Sequence, residues 1–474
     1  MNHKWLGKWV IVLLLLAALP GLTAVMAQGQ EPARKAPLPA VTEVGESAPI
    51  TPWVNNEKAT TNDSMATAED WLKCTDTRSE TGAYNPELTF KRGCVLGGKI
   101  DSASDADYWQ LRVEYADDGH VPILFDIDAA SNGWPLDALI CLYADDAVLM
   151  GCNDDTDTVD SLMFYNLETG RTYYLRVSSA DETGGSNYKY QLLISTPLLI
   201  SAAAANLGTG NVAGIPFQAG DILAWSRYYN QMEVGLGNKW VMFLDISDLN
   251  VKGNLTNLAS AWRNSDYLFV GFAANTRLPG IAKAVTPWDV VLFDPSTIGP
   301  NTTGVFQLWW AGKEHQLTTS AEKVDAIDWP NWNGAASLYV STIGNAKVGV
   351  AAVKTLADED FGQWHPNNEW SKVDMSVIDW MAAKDVIALD HNVSGYSDTY
   401  DEILMVLQGQ GYLDLDDDRF TPDVFVTQKD IVELNTQWAI GGNHVFWHGP
   451  DHGWNYNIDA INWSTLTNWW EYDG

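Results

Sequence analysis

Six residues past the middle of the chain, Val324-Asp325-Ala326-Ile327-Asp328-Trp329, return nearly unchanged as Met375-Ser376-Val377-Ile378-Asp379-Trp380 and as Ile458-Asp459-Ala460-Ile461-Asn462-Trp463. A fainter relative, Leu258-Ala259-Ser260-Ala261-Trp262, aligns after a one-residue slip. Copies at intervals of roughly 50 to 80 residues mark an array of small β units, because a unit of that size must lay its apolar face on the next one. A second piece repeats too: Thr286-Pro287-Trp288-Asp289-Val290-Val291-Leu292-Phe293-Asp294 matches Thr427-Gln428-Lys429-Asp430-Ile431-Val432-Glu433-Leu434-Asn435, with related runs at 220–225 and 401–406. Each full copy is followed by an aromatic residue (Phe306, Phe446), a Trp and a Gly, and then the Asp-Trp motif. Residues 198–474 therefore read as a β-propeller-like repeat domain of four or five irregular blades. The last unit lacks the strand that elsewhere follows the motif (338–341 after Trp329), and the early strand 221–225 is expected to complete it, hiding two open sheet edges.

The N-terminus has the three-part layout of a secretory signal peptide: Lys4 and Lys8, an uncharged run from Trp9 to Leu19, a Pro20-Gly21 breaker, then small residues up to Ala27. Residues 1–27 are read as that signal, cleaved near Ala27, which predicts a secreted, extracellular protein. No cysteine follows to carry a lipid anchor, and no later stretch is long and apolar enough to span a membrane. Residues 28–58 mix Pro, Ala, Glu and Thr without hydrophobic period; they read as a disordered linker, unable to bury enough apolar surface to offset chain entropy.

The 61 acidic residues against 28 Lys plus Arg repel phosphate backbones and anionic membranes, which argues against a nucleic-acid partner and favours divalent cations or simple solubility. All four cysteines, Cys74, Cys94, Cys141 and Cys152, precede residue 198, and in an exported chain they read as disulfides. Three pairings are open. Sequential pairing is preferred, since Cys141 and Cys152 flank a short strand-turn-strand in which two thiols meet across a hairpin.

Residues 59–197 carry short alternating runs bounded by Gly, Asn and Asp, clearest at 108–113, 121–127, 138–143, 172–177 and 188–194. With no helical period between them, they argue for an antiparallel β-sandwich. The fold class expected for the whole chain is all-β.

Within this segment Gly98-Lys99-Ile100-Asp101, Asp105-Ala106-Asp107-Tyr108-Trp109, Asp137-Ala138-Leu139-Ile140-Cys141-Leu142-Tyr143, Asn153-Asp154-Asp155 and Gly170-Arg171-Thr172-Tyr173-Tyr174-Leu175-Arg176-Val177 follow in an order and spacing that resembles the bacterial pre-peptidase C-terminal domain. The resemblance implies a jelly-roll-like sandwich of the kind appended to secreted enzymes and surface proteins, some of which bind calcium or extracellular polymers.

Hydrolytic signatures are missing: there is no Gly-x-Ser-x-Gly elbow, no His-Glu-x-x-His and no phosphate-binding glycine loop. Asp325, Asp328 and Asp379 repeat with the architecture, so they are expected to accept hydrogen bonds within the fold rather than to act as catalytic acids. His444, His448 and His452 cannot converge, because Gly449-Pro450 breaks a helix and a strand would spread them along its length; His452 also stands where His315 stands in the earlier copy. Two clusters suit calcium, a hard cation that takes closely spaced oxygen ligands: Asn153, Asp154, Asp155 and Asp157 in the sandwich, and 414–418 in the repeat half. Neither completes the helix-loop-helix calcium pattern. The 23 tryptophans supply flat apolar faces of the sort that bind sugar rings. Trp329, Trp380 and Trp463 repeat and are expected in the core; Trp332, Trp454, Trp469 and Trp470 do not and are expected to be freer to face solvent. The resulting expectation is a secreted, non-catalytic binding or adhesion protein that recognises extracellular glycan or protein and is stabilised by calcium, with no other cofactor; the alternative is a secreted glycoside hydrolase or peptidase with an accessory sandwich.

Overall fold

Period-two alternation governs the strands of the computed structural model, which describes residues 62–70, 94–112, 120–154, 160–168, 170–202, 209–230, 235–251, 255–260, 267–329, 337–349, 353–366, 369–373, 386–393, 401–413, 424–435 and 444–463. The described residues are nearly all antiparallel β, and none of their helices is long and apolar enough to cross a membrane. The first nine strands are β1 (Glu69–Asp70), β2 (Cys94–Lys99), β3 (Ala106–Arg112), β4 (His120–Asp128), β5 (Ala138–Ala144), β6 (Leu149–Asn153), β7 (Leu162–Glu168), β8 (Thr172–Ser179) and β9 (Lys189–Ser195). All five runs singled out in the sequence are among them.

These strands form two facing layers, β1-β3-β8-β5-β6 and β2-β9-β4-β7. Ile123, Phe125 and Ile127 of β4 meet Trp109, Leu111, Ile140, Leu142 and Leu175 from the other layer in one core. A buried polar chain crosses it: Trp109 Nε1 donates to the Tyr190 hydroxyl (2.9 Å), which donates to Asp107 Oδ2 (2.6 Å), so neither buried donor goes unmet. Gly98 makes room for this tyrosine, since a Cβ there would lie 2.2 Å from the Tyr190 hydroxyl oxygen.

Among the described residues, sixteen longer strands build the repeat half as four sheets of four. The first sheet is β15 (Leu255–Ser260), β16 (Leu268–Phe272), β17 (Val290–Thr297) and β18 (Thr303–Trp310); the second is β19 (Val324–Asp328), β20 (Leu338–Thr342), β23 (Phe361–Trp364) and β24 (Trp370–Val373). The third is β25 (Val386–Val393), β26 (Asp401–Leu407), β29 (Asp430–Asn435) and β30 (His444–His448). The fourth joins distant parts of the chain, in the order β31 (Ile458–Trp463), β10 (Leu198–Ala202), β13 (Ile222–Asn230) and β14 (Gly235–Leu244). Small hairpins precede the third strand of three sheets: β11 (Gly210–Val212) with β12 (Ile215–Phe217), β21 (Ala346–Val348) with β22 (Lys354–Leu356), and β27 (Gln410–Leu413) with β28 (Val424–Thr427).

Each sheet is apolar on both faces and packs on two others. Val291 and Phe293 of the first sheet meet Leu199, Val241 and Phe243 of the fourth, while Phe269, Val290 and Trp310 of the first meet Val324, Ile327 and Leu338 of the second. Ala326 and Phe361 of the second meet Val386 and Met405 of the third, and Ile387, Val406 and Trp447 of the third meet Ile200, Trp225 and Ile461 of the fourth. The first strands of the sheets touch in the same order, β31 to β15, β15 to β19, β19 to β25 and β25 to β31.

Register defines the repeat more sharply than the sequence did. Pairing skips one residue at Thr256, Asp325, Ile387 and Asp459, a β-bulge at the same place in all four first strands. The copy at 375–380 lies outside the described residues; β25, beginning at Val386, stands at the corresponding place in the third sheet. The faint copy at 258–262 is placed by the same bulge: Thr256 stands at the level of Asp325, so Leu258 stands at the level of Ile327. Strand 221–225 does share a sheet with β31, but β10 lies between them and bonds to both.

The sandwich and the repeat half meet along β4, β7, β13 and β14. Tyr229 of β13 pairs in parallel with Cys94 of β2, Phe164 meets Phe243 edge-on at 4.9 Å, and Ser195 and Ser226 share a buried hydrogen bond of 2.8 Å. On the β4 face turned away from the sandwich core, Leu124 joins the apolar contacts of the repeat half, while Asp126 and Asp128 take the Lys239 ammonium of β14 at 2.6 and 2.7 Å.

Candidate binding site

Four aspartates set the loops that lead into the third strands. Asp221, Asp289, Asp360 and Asp430, about 70 residues apart, each turn Oδ2 back to accept the backbone N–H three residues earlier, from Gln218, Thr286, Ala357 and Thr427, every time at 2.7 Å. All four are buried. A carboxylate that accepts amides in this way satisfies backbone donors that the turn would otherwise strand. Sequence reading found two of these sites in full and the third as the related run 220–225. It missed Asp360, and it paired them with 401–406, which the structure assigns to the second strand of its sheet.

Downstream of these turns an aromatic tetrad forms twice. Trp310 stacks on His315 at 4.6 Å and meets Trp364 and Trp370 at 6.3 and 6.2 Å; Trp447 stacks on His452 at 5.3 Å and meets Trp225 and Trp240 at 5.9 and 6.1 Å. Within each pair the indoles face each other across two strands, Trp364 opposite Trp370 and Trp225 opposite Trp240. The histidines lie on equivalent 3-10 turns, Gly312–His315 and Gly449–His452, each ended by a left-handed residue, Gln316 or Gly453. Burial pushes the His315 imidazole's pKa down, against a smaller pull upward from Glu314.

The two tetrads differ in what surrounds them. Around Trp447 the stack is closed: Trp454 lies parallel to Trp240 at 5.4 Å and to Phe217 at 5.3 Å, and Trp454 is fully buried. The expectation that Trp454 faces solvent is therefore wrong; it stands where the buried Leu317 stands in the earlier copy, each donating its backbone N–H to the glycine that opens the 3-10 turn. Around Trp310 further indoles are only partly buried. Trp309 packs on Phe269 at 4.6 Å and edge-on to Trp329 at 4.4 Å, Trp364 lies 6.2 Å from Trp309, and Trp329 contacts Phe269 at 5.4 Å. Trp309 and Trp364 were not singled out in the sequence, although Trp364 follows Asp360 at the distance by which Trp225 follows Asp221.

The remaining sequence candidates do not converge. Asp325 and Asp328 are buried on β19, and Asp459 and Asn462 on β31. Burial raises the Asp459 carboxyl's pKa well above the usual range, against the opposing effects of its own backbone amide and the Ser201 hydroxyl. Asp379, Trp332, Trp380, Trp469, Trp470 and the cluster 414–418 lie outside the described residues. His448 Nδ1 is 2.7 Å from Asp430 Oδ1, and His452 belongs to its tetrad; among the described residues no three His, Cys, Asp or Glu side chains group as a metal site. Of the sandwich cluster, Asn153 ends β6 and Asp154 follows it, half-buried, whereas Asp155 and Asp157 lie outside the described residues. Cys141 and Cys152 face each other across β5 and β6 and form a disulfide. Cys74, and with it the pairing to Cys94, lies outside the described residues.

No family model matches the chain, and no curated protein matches it. Among solved structures it is similar to the pre-peptidase C-terminal domain of collagenase from Bacillus anthracis, at 12% identity and a TM-score of 0.18, covering 22% of this chain and 91% of that one.

Proposed function

We propose that this chain is a secreted, non-catalytic recognition protein in which a pre-peptidase C-terminal-like sandwich is joined to a propeller-like ring of four sheets, and that it binds an extracellular glycan. The cyclic order of inter-sheet cores supports the ring. The observation that carries the binding reading is the partly exposed group of Trp309, Trp329 and Trp364 around Phe269. Rigid indoles packed on one another offer apolar faces to a pyranose ring at little cost in side-chain freedom. The tetrad between the third and fourth sheets closes over the same kind of residues, so the open one is the exception that core packing does not require.

The test is binding of the exported protein to a panel of polysaccharides by calorimetry, with Trp329→Ala as the variant. A ligand bound through these faces loses about tenfold in affinity, about 1.4 kcal/mol, in the variant. Hydrolysis of a panel member that stops when one acidic residue is changed would sink the non-catalytic reading, and equal affinity in the variant would sink the assignment of the site.

A further inference from the structure

A lysine at the centre of an apolar junction is the least expected side chain in the molecule. Lys239, Val241 and Phe243 share one face of β14, and the latter two belong to the core between the first and fourth sheets; Lys239 occupies the next core position and is 0% exposed. Opposite it, Leu124, Asp126 and Asp128 share one face of β4, with the two carboxylates 0% and 1% exposed and 2.6 and 2.7 Å from Nζ. Neither strand can shift to relieve the contact. Asp126 is paired to Leu162 on one side and Leu193 on the other, and Lys239 is paired to Ser226. The loop after β4 is pinned by Asp160, which accepts the backbone N–H groups of Ala129, Ala130 and Ser131 at 2.8 to 3.0 Å. An amine and two carboxyl groups are thus held in contact, away from water, by three-sided backbone pairing.

Charges in such a place are costly, and the cost disappears if the amine and one acid become an amide. We propose that Lys239 and Asp126 condense into an intramolecular isopeptide bond, with Asp128 as the group that moves the proton. Asp128 Oδ1 accepts a hydrogen bond from Nζ and another from the Ser131 hydroxyl at 2.9 Å, which holds it as the base. Asp128 takes a proton from the Lys239 ammonium and passes it to an Asp126 oxygen; the freed Nζ lone pair attacks Cγ of Asp126; a second proton, leaving the nitrogen of the tetrahedral intermediate through Asp128, reaches the same oxygen, which departs as water. One N–C bond forms and one C–O bond breaks. Ammonium plus carboxylate becomes amide plus one water, with no change of oxidation state and no co-reactant. Burial drives the step twice: it favours the uncharged amide over the buried ion pair, and it withholds the water that would reverse the reaction. The product ties the sandwich to the repeat half by a covalent link that reduction leaves intact.

The experiment is mass spectrometry of the exported, folded protein after reduction and tryptic digestion. Residues 113–171 and 228–252, which contain Asp126 and Lys239, are expected as one branched peptide, lighter than the two halves by one water and uncut at Lys239. Asp126→Asn should give the same branched product with loss of ammonia instead of water, which also covers the case in which Lys239→Met does not fold. Asp128→Asn should leave the two peptides separate in a protein whose circular dichroism is unchanged. Separate peptides of full mass from the wild-type protein overturn the proposal, as does a link to Asp128 in place of Asp126 or an undiminished link in Asp128→Asn.

Discussion

Replacing Asp221 by Asn should make the protein more stable at neutral pH and no more stable in acid. Asp221 locks the turn before β13 by accepting the N–H groups of Gln218 at 2.7 Å and Ile246 at 3.0 Å. Burial, with smaller contributions from Asp245 and Asp248, raises its pKa from the ordinary 3.8 to about 7, although the two backbone bonds pull the other way. A raised acid pKa means that the folded state holds a proton the unfolded chain has released. Stability from this group is therefore complete below about pH 4, declines as pH rises, and is lost above about pH 7. The separation between 3.8 and about 7 corresponds to about 4 kcal/mol as an upper figure. Asparagine cannot ionise, so Asp221→Asn removes that dependence. Urea unfolding of both proteins at half-unit steps from pH 4 to pH 8 gives the difference directly, because every other titrating group cancels. The difference should be near zero at pH 4 and grow toward about 4 kcal/mol in favour of the variant by pH 8. Parallel curves would refute the reasoning, and a variant that loses ground as pH rises would show that the two amide bonds outweigh burial.

Three further outcomes follow from the packing. Trp454→Ala removes an indole stacked between Trp240 and Phe217 and should cost about 3–5 kcal/mol in urea unfolding, whereas a change under about 1 kcal/mol would mean that the stack is not closed. Deleting 198–202 strips β31 of its partner, and hydrogen exchange should then show lost protection in β13 and in β15 as well as in β31; loss confined to the deleted end would argue for an open stack of independent units. Calcium at a hundred times its dissociation constant should raise the unfolding free energy by about 2.7 kcal/mol if Asn153, Asp154, Asp155 and Asp157 hold it, and melting curves that overlap with and without chelator would discard the site.

What could be read from the sequence follows from how each feature is encoded. Alternation on β3, β5 and β8 separates a buried face from a more exposed one, and β4 and β9 carry the β-branched, aromatic and apolar residues of buried strands, so these strands and the all-β class were legible residue by residue. The fourfold architecture was legible wherever packing demanded similar side chains, as at Val324-Asp325-Ala326-Ile327 and Ile458-Asp459-Ala460-Ile461. It faded in β15 and β25, where the bulge falls on Thr256 and Ile387 and only backbone geometry repeats. Trp454 was misjudged because it has no identical counterpart: Leu317 fills the same place with a different shape. The open indole group was not legible because Phe269, Trp309 and Trp364 come from three strands of two sheets and Trp329 from the residue that follows a fourth. The Lys239 contact joins residues more than a hundred positions apart and carries no local pattern at all.

The make-up of the fourth sheet sets an order of events during synthesis. Its second, third and fourth strands, β10, β13 and β14, are translated before the other three sheets, yet their neighbour β31 is translated only after them. Until it arrives, β10 presents an open edge and the apolar faces of Ile200 and Trp225 lack one of their walls. A chain that stalls between residues 230 and 458 would therefore expose an adhesive edge for as long as the stall lasts. Folding of this protein should accordingly depend on a holding chaperone more heavily than the number of its strands alone would suggest.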